Sequence, residues 1–290
     1  MKKLFFLFGV LSATNSVQSF AASVDSIDVP SASMNKSYKS AVVLPDSYTK
    51  NKTAYPVLYL LHGGGGHFRD WLNLTPDKML IKNLADQYNL IIVMPEGENF
   101  GWYLNSPINK ESRFETYIIE EVIPKIDNTY RTIRNRKGRV ITGLSMGGHG
   151  ALYLSTLHPD IFSAAGSMSG AVDLDATNWK ISPEFVSRVK EGFQKLIGDT
   201  TNTNLYASYS VVNMVDKMKS SDVKLIIDCG VDDFLIDPNR ELHRRLVYNH
   251  TVHDYTERPG GHTWQYWENS LPYHVLYFFK IFKANGVTVP

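Results

Sequence analysis

The stretch that decides the fold runs from residue 139 to residue 158 and reads RVITGLSMGGHGALYLSTLH. The short run at 139–142 predicts a buried strand, and residues 147–157 have the spacing of a helix. Between them stands GLSMG, a G-x-S-x-G pattern whose glycines leave room for a sharp strand-to-helix turn. Such a turn lifts a serine hydroxyl clear of the backbone, beside a helix N-terminus that favours developing negative charge. The stretch therefore predicts Ser145 as a nucleophile.

Strand and helix signals alternate on both sides of this stretch. Continuous apolar runs that stop at turn residues predict buried strands at 56–61, 90–94, 162–168 and 223–228, with an early strand pair beginning at 37–44 and a short strand at 255–258. Helical spacing is found at 77–88, 112–129, 237–249 and 264–283, and Pro124 predicts a kink in the second of these. The alternation predicts an α/β fold with a mostly parallel central sheet and helices on both faces.

One segment, residues 171–222, breaks this alternation because it is long, polar and without a clear strand. Segments of that length are usually functional or carry their own helices. We therefore expect a cap insertion, called the cap segment below, over the C-terminal edge of the sheet. No linker rich in proline, glycine or serine interrupts the chain, so residues 22–290 are expected to form a single domain.

The first 21 residues have the features of a secretory signal peptide. Lys2 and Lys3 precede a short apolar run at 4–11, and Ser19-Phe20-Ala21 supplies small residues at the positions that a signal peptidase reads. The apolar run is too short to span a bilayer, so no stable membrane insertion is expected. The chain is therefore predicted to be secreted or periplasmic.

Composition excludes several classes of function. The 290 residues contain 30 basic and 29 acidic side chains, and loss of residues 1–21 would leave 28 basic side chains (30 − 2) against the same 29. Such a balance favours neither a nucleic-acid partner nor an electrostatic attachment to membranes. The single cysteine, Cys229, excludes an internal disulfide, and its apolar neighbours indicate a buried, inert thiol.

A glycine cluster, HGGGG at 62–66, directly follows the predicted strand at 56–61. Acyl transfer passes through a tetrahedral oxyanion, which requires preorganised N–H donors. Glycine lets the backbone present such donors without an obstructing side chain, so we expect an oxyanion hole formed by the amides of Gly64 and Met146. His62 is interpreted as a structural loop histidine. A phosphate-binding loop is disfavoured because no G-K-[ST] follows the glycines.

The remaining catalytic candidates follow the last strands. CGVDD at 229–233 offers Asp232 or Asp233 as an acid, and GGHTW at 260–264 places His262 in a glycine turn that opens a helix. The order serine, aspartate, histidine is the one that α/β-hydrolases use. His250 and His253 could be two metal ligands, but no third ligand with suitable spacing is evident, so no metal and no cofactor are predicted.

With these motifs in place, the chain resembles the esterase D, feruloyl esterase and antigen 85 group of α/β-hydrolases. The matching stretches run through nearly all of the chain after residue 21: LLHGGGG at 60–66, MPEG at 94–97, GWYLNSP at 101–107, GLSMGGHGAL at 143–152, CGVDDFL at 229–235, NRELH at 239–243 and GGHTWQYW at 260–267. In that family the acid is the aspartate of a G-x-x-D, so the resemblance favours Asp233 over Asp232. Asp173, which follows the preceding strand, is a further candidate because some hydrolases place the acid there.

Aromatic side chains on the loops suggest the substrate. Active sites of open α/β sheets lie beyond the C-terminal ends of the strands, where these loops should converge. Flat aromatic walls suit a cinnamoyl ring or a sugar face. The aromatics in question are Trp71, Trp102, Tyr103, Trp179 and Trp264, of which Trp71, Trp102 and Trp264 are predicted to bind substrate.

The resemblance implies a secreted serine carboxylic ester hydrolase, similar to bacterial esterases linked to plant cell-wall breakdown. The expected partner is a small acyl ester or an esterified polysaccharide fragment, with a feruloyl, cinnamoyl or acetyl acyl group. An acyltransferase of the antigen 85 type would use the same three side chains, so transfer to an alcohol is the alternative. A non-catalytic binding protein and a peptidase also remain open.

Overall fold

The structure is a computed structural model that describes residues 22–199 and 201–288, so the predicted signal peptide at 1–21 lies outside the described residues. The strands are β1 (Ser23–Ser31), β2 (Lys36–Leu44), β3 (Val57–Leu61), β4 (Ile91–Pro95), β5 (Arg139–Gly143), β6 (Ala164–Met168), β7 (Lys224–Gly230) and β8 (His253–Arg258). The helices are α1 (Ser47–Lys50), α2 (Asp70–Asn73), α3 (Leu80–Tyr88), α4 (Phe114–Thr116), α5 (Ile123–Thr129), α6 (Met146–Leu157), α7 (Pro183–Leu196), α8 (Thr203–Tyr209), α9 (Val215–Ser221), α10 (Ile236–Tyr248) and α11 (Trp264–Ala284).

The eight strands form one sheet in the order β1-β2-β4-β3-β5-β6-β7-β8. The β1–β2 and β2–β4 pairs are antiparallel, whereas every pair from β4 to β8 is parallel. The predicted mostly parallel sheet is therefore confirmed. Because the parallel strands end on the same edge, the loops after β3, β5, β6, β7 and β8 meet there.

Strand β3 illustrates how the sheet is buried. Its side chains alternate between two apolar layers, with Val57, Tyr59 and Leu61 in one and Leu58 and Leu60 in the other. Helices α6 and α10 contribute to the first layer, and α3 and α11 to the second. Both faces are covered, as the continuous apolar run at 56–61 predicts.

The predicted helix at 112–129 is not continuous. Helix α4 is followed by a π-helical turn at Tyr117–Val122, and α5 then starts with Pro124 as its second residue. A proline has no N–H and its ring crowds the preceding turn, and a wider π turn accommodates both. The interruption therefore replaces the simple kink expected at Pro124.

The cap segment has two parts. Helices α7 and α8 are additions to the alternating pattern, and Phe185 and Val189 of α7 line the same cavity as Ser145. Helix α9 instead packs against α6 and α10 immediately before β7. The part that covers the C-terminal edge of the sheet is thus shorter than the predicted 171–222. In the part of the chain that the structure describes, no helix has the length and apolar character to cross a membrane.

Candidate active site

Ser145 occupies the turn between β5 and α6 in an unusual backbone conformation. Its φ is 55° and its ψ is −118°, which costs on the order of 1–3 kcal/mol for a residue other than glycine. The conformation is held from outside the turn, because the Ser145 amide donates to the Met168 carbonyl at 3.0 Å. The Ser145 carbonyl in turn accepts from the amides of Ala171 and His149, each at 3.1 Å. The predicted sharp turn is thus present and fixed by β6 and α6.

The two glycines of the motif are required by close backbone approach. A β-carbon added to Gly143 would lie 2.6 Å from the carbonyl carbon and oxygen of Gly147. One added to Gly147 would lie 2.6 Å from the His62 oxygen and 2.7 Å from the Leu61 oxygen. Since these neighbours are backbone atoms of α6, β3 and the loop after β3, neither position has space for a larger residue.

Three predicted residues meet at the edge of the sheet. His262 Nε2 lies 3.0 Å from Ser145 Oγ, and His262 Nδ1 lies 2.9 Å and 3.1 Å from the two oxygens of Asp233. The carboxylate can only accept, which assigns the ring proton to Nδ1 and leaves Nε2 to accept from the serine hydroxyl. The arrangement can therefore take a proton from Ser145.

Asp232 and Asp173, the two alternative candidates for the acid, do not contact His262. Asp233 is 1% exposed and also accepts from the Leu235 amide at 2.9 Å, whereas Asp232 is exposed. Asp173 accepts from the Asn178 side chain at 2.7 Å and from the Ser210 hydroxyl at 3.2 Å, within the cap segment. Of the three aspartates, only Asp233 contacts the histidine.

Two aromatic rings that sequence reasoning missed pack on the histidine. The Phe234 ring centroid lies 4.4 Å from that of His262, and Trp267 stands edge-on at 4.9 Å. Phe234 directly follows the acid, and Trp267 follows the histidine by five positions, one turn into α11. Their positions in the CGVDDFL and GGHTWQYW stretches are the sequence signal by which these two rings could have been predicted. Contact with these two rings limits the orientations that the imidazole can adopt.

The glycine loop places Gly64 beside Met146. A β-carbon added to Gly64 would lie 4.0 Å from that of Met146, and both residues line the cavity that contains Ser145. The amides that follow them are engaged elsewhere, since Gly65 donates to Asn99 at 2.8 Å and Gly147 donates to Leu144 at 2.7 Å. The two predicted oxyanion donors are thus adjacent at the serine.

His62 is buried below this loop and has no contact with Ser145 among the hydrogen bonds of the described residues. Its Nε2 accepts from the Gly97 amide at 2.9 Å, and its Nδ1 lies 2.8 Å from the Gly63 oxygen. Burial raises the pKa of neighbouring Glu96, but the contact with His62 and hydrogen bonds from backbone amides lower that pKa by more. These contacts agree with the interpretation of His62 as a structural histidine that supports the glycine loop.

A cavity of about 440 Å³ opens beside Ser145 and His262. Its wall is largely aromatic and contains Phe100, Trp102, Trp179, Phe185 and Phe234. Trp102 is the one predicted substrate-binding tryptophan that lines it. Trp179, on the cap segment, lines it too, although it was not among the three selected.

The other two selected tryptophans lie outside the cavity wall. Trp71 is 1% exposed, and its indole N–H donates to the Leu61 carbonyl at 3.1 Å. Trp264 packs edge-on against Trp71 at 5.4 Å and against Trp267 at 5.3 Å. Both rings pack against other aromatic side chains and do not line this cavity, which argues against the predicted substrate contact.

A second polar group lies beneath the site, around the buried Asp228 of β7. Its carboxylate accepts from the Tyr266 hydroxyl at 3.0 Å, from His274 Nε2 at 2.9 Å and from the Ser270 hydroxyl. Burial raises the pKa of Asp228, but the hydrogen bonds from His274 and Ser270 lower it by more. One carboxylate thereby fastens α11 to the sheet, immediately after the loop that carries His262.

His253, one of the two histidines considered as metal ligands, has other partners. His253 Nε2 lies 2.8 Å from His243 Nδ1, and His253 Nδ1 lies 2.7 Å from the Thr251 oxygen. Within residues 22–199 and 201–288, no group of three or more histidine, cysteine, aspartate or glutamate side chains could hold a metal ion. Cys229 is buried, and burial raises the pKa of its thiol.

Comparison with known proteins identifies the family. Residues 31–278 match the model of the family described as "Putative esterase". An acetyl esterase of Caldicellulosiruptor saccharolyticus is 32% identical over 222 residues, which cover 74% of this chain and 79% of that enzyme. The esterase Rv1288 of Mycobacterium tuberculosis is 30% identical over 244 residues, but this chain spans only 52% of its length.

A solved structure of a ferulic acid esterase superposes with a TM-score of 0.74 at 29% identity. The superposition covers 90% of this chain and 99% of that one. The predicted α/β-hydrolase fold and the predicted resemblance are therefore confirmed. The chain belongs to this esterase family and is a carboxylic ester hydrolase.

Proposed function

We propose that this enzyme hydrolyses acyl esters through a catalytic triad of Ser145, His262 and Asp233. The observation that carries the proposal is the unbroken hydrogen-bonded chain from the Ser145 hydroxyl through both ring nitrogens of His262 to Asp233. A serine hydroxyl is a poor nucleophile until a base removes its proton, and this chain supplies the base and the group that orients it.

In the acylation step, Ser145 Oγ attacks the ester carbonyl carbon while its proton passes to His262 Nε2. The amides of Gly64 and Met146 donate to the oxyanion that forms, and loss of one such donor typically raises the barrier by about 3–4 kcal/mol. The carbon–oxygen bond to the alcohol then breaks, and His262 returns the proton to the leaving alcohol. Asp233 stays ionised throughout and stabilises the imidazolium.

In the deacylation step, a water molecule takes the place of the alcohol. His262 accepts a proton from the water, whose oxygen attacks the acyl carbon, and the bond to Ser145 Oγ breaks as the serine regains its proton. An alcohol in place of water would give transfer rather than hydrolysis. Hydrolysis and acyl transfer use the same protein side chains and amides. Which reaction occurs therefore depends on whether water or an alcohol accepts the acyl group.

The substrate is proposed to be an acyl ester of plant cell-wall material with a feruloyl, cinnamoyl or acetyl group. The aromatic wall formed with Trp102 and Trp179 matches a planar ring, and the cavity has the size of ordinary small-ligand sites. Relatives named for acetyl and ferulic acid esters support the same range. We further propose that the segment at 1–21 directs export of the protein. Residues 22–290 are proposed to form a single domain.

Substitution of the nucleophile tests the proposal. Ser145→Ala should reduce turnover of 4-nitrophenyl acetate and methyl ferulate by several orders of magnitude, because triad members act as a unit. Ser155→Ala is the matched control, since it removes a buried hydroxyl from α6, the helix that follows Ser145, where that hydroxyl donates to the Leu152 carbonyl. Full activity in pure Ser145→Ala protein would overturn the triad.

Two further measurements address the finer parts of the proposal. Product partition with added methanol separates hydrolysis from acyl transfer, since a transferase would form the methyl ester in preference to the free acid. N-terminal sequencing of the exported protein tests removal of residues 1–21, and an intact N-terminus on protein found inside the cell would contradict export.

A further inference from the structure

The cavity beside Ser145 carries an unbalanced positive charge. Among the residues that line it, the titratable groups are Arg188 and His262, and there is no carboxylate. Arg188 belongs to α7 of the cap segment, whereas the rest of the wall is largely aromatic or aliphatic. A permanent cation therefore borders a mainly apolar space next to the nucleophile.

Arg188 has no partner among the described residues. It is exposed and takes part in no hydrogen bond, ion pair or cation–π contact there, although Glu184 lies one turn earlier on the same helix. The amide of Glu184 itself and the Ser182 hydroxyl lower the pKa of Glu184, so its carboxylate interacts with the helix N-terminus. Exposed arginines on helices commonly pair at this spacing, and Arg244 and Arg245 both pair with Glu241 in this chain.

We propose that Arg188 is a subsite for a carboxylate carried by the ester substrate. A guanidinium presents N–H donors in a planar fork that matches a carboxylate, and a charge-assisted hydrogen bond is about twice as strong as a neutral one. Because Arg188 is exposed, solvent and salt screen this attraction, so the fork geometry contributes to the specificity together with the charge. The substrate class is thus an anionic ester, and the inference rests on the proposed function because Ser145 defines the cavity as the substrate site.

The carboxylate could belong to either half of the ester. On the acyl side it would be the free acid of a dicarboxylic half-ester, and on the alcohol side the acid of a uronic acid residue. Two matched pairs separate these sources: 4-nitrophenyl hexanoate against mono-4-nitrophenyl adipate, and a feruloyl ester of methyl glucoside against that of methyl glucuronoside. Within each pair the ester is similar and the carboxylate is the main difference.

The test compares kcat/KM for these pairs in the wild type, Arg188→Gln and Lys190→Gln. Lys190 is the matched control, because it carries the same charge two residues along α7 but lines a separate cavity beside Asp173. We expect a preference for the anionic member of one pair by about tenfold, weakened by salt. Arg188→Gln should abolish that preference and leave the neutral ester within about twofold, and Lys190→Gln should change neither.

Three outcomes would overturn the subsite. They are equal rates within both pairs in the wild type, an equal loss for neutral and anionic esters in Arg188→Gln, and the same loss of preference in Lys190→Gln. Failure of the proposed function is distinguishable from these. It would appear as absent turnover of all four esters, or as turnover that survives Ser145→Ala.

Discussion

Replacement of Asp233 by asparagine is the sharpest test of how the site works. In the native protein Oδ1 of Asp233 accepts from the Leu235 amide at 2.9 Å and lies 3.1 Å from His262 Nδ1, whereas Oδ2 makes the shorter contact with Nδ1 at 2.9 Å. The Leu235 amide is a donor, so it will hold the amide oxygen of the new asparagine and turn the –NH₂ toward the histidine. The –NH₂ then takes the shorter contact with Nδ1, where two donors repel each other, and we expect the ring proton to move from Nδ1 to Nε2.

That tautomer has no lone pair toward Ser145, which lies 3.0 Å from Nε2. Removal of the proton acceptor while the geometry is kept lowers kcat by about 10⁴-fold in serine enzymes of this kind, or about 5 kcal/mol of barrier. Initial rates on 4-nitrophenyl acetate measure the loss, with circular dichroism and melting temperature to establish that the protein is folded.

Asp232→Asn provides the control for Asp233→Asn. It makes the same chemical change one residue earlier, on an exposed side chain, and should stay within about twofold of the wild type. If folded Asp233→Asn keeps more than a tenth of the native rate, His262 is not oriented by this carboxylate. A larger loss in Asp232→Asn than in Asp233→Asn would refute the assignment as well.

Three further predictions follow from the surroundings of the site. Gly147→Ala places a β-carbon 2.6 Å from the His62 oxygen, so urea denaturation should show a loss of about 1–3 kcal/mol together with reduced turnover. Burial lowers the pKa of His149 from 6.5 to about 4, so between these values the unfolded chain binds a proton that the folded chain does not. The unfolding free energy should therefore fall by about 2 kcal/mol from pH 7 to pH 5, and His149→Gln, measured by denaturation at both pH values, should remove that part of the fall. Trp179→Ala should reduce kcat/KM for methyl ferulate by about tenfold with a smaller effect on 4-nitrophenyl acetate, whereas Trp264→Ala, outside the cavity, should change neither.

The sequence predicted the framework of the site because its signals are local. GLSMG lies between a strand and a helix, and His262 lies in a glycine turn that opens a helix, so each position depends on neighbours in the chain. Spacing alone left Asp232 and Asp233 open, since adjacent residues in a tight turn point in different directions. The turn is closed by a hydrogen bond from the Asp233 amide to the Gly230 carbonyl at 3.1 Å, and no feature of the sequence specifies it.

The cavity wall was harder to predict because it depends on packing between distant segments. Trp71 and Trp264 lie close to site motifs in the sequence, yet they pack against each other and not on the cavity wall. Phe185 and Val189 stand four residues apart on α7, a spacing that places both on one helical face. The polar composition of the cap segment hid that short apolar face, whereas Trp179 was recognised as a loop aromatic but not selected.

The buried carboxylate of Asp228 explains how Asp233 and His262, which are distant in the sequence, keep their hydrogen-bond geometry. Asp233 and His262 are 29 residues apart and come from the loops after β7 and β8. Asp228 lies on β7 five positions before Asp233 and binds Tyr266, Ser270 and His274, which lie on successive turns of α11. The helix that starts just after His262 is thus fastened to the strand that leads to Asp233. Because one buried carboxylate binds side chains from three successive turns of this helix, Asp233 and His262 keep a common position relative to the sheet even though each lies on a loop.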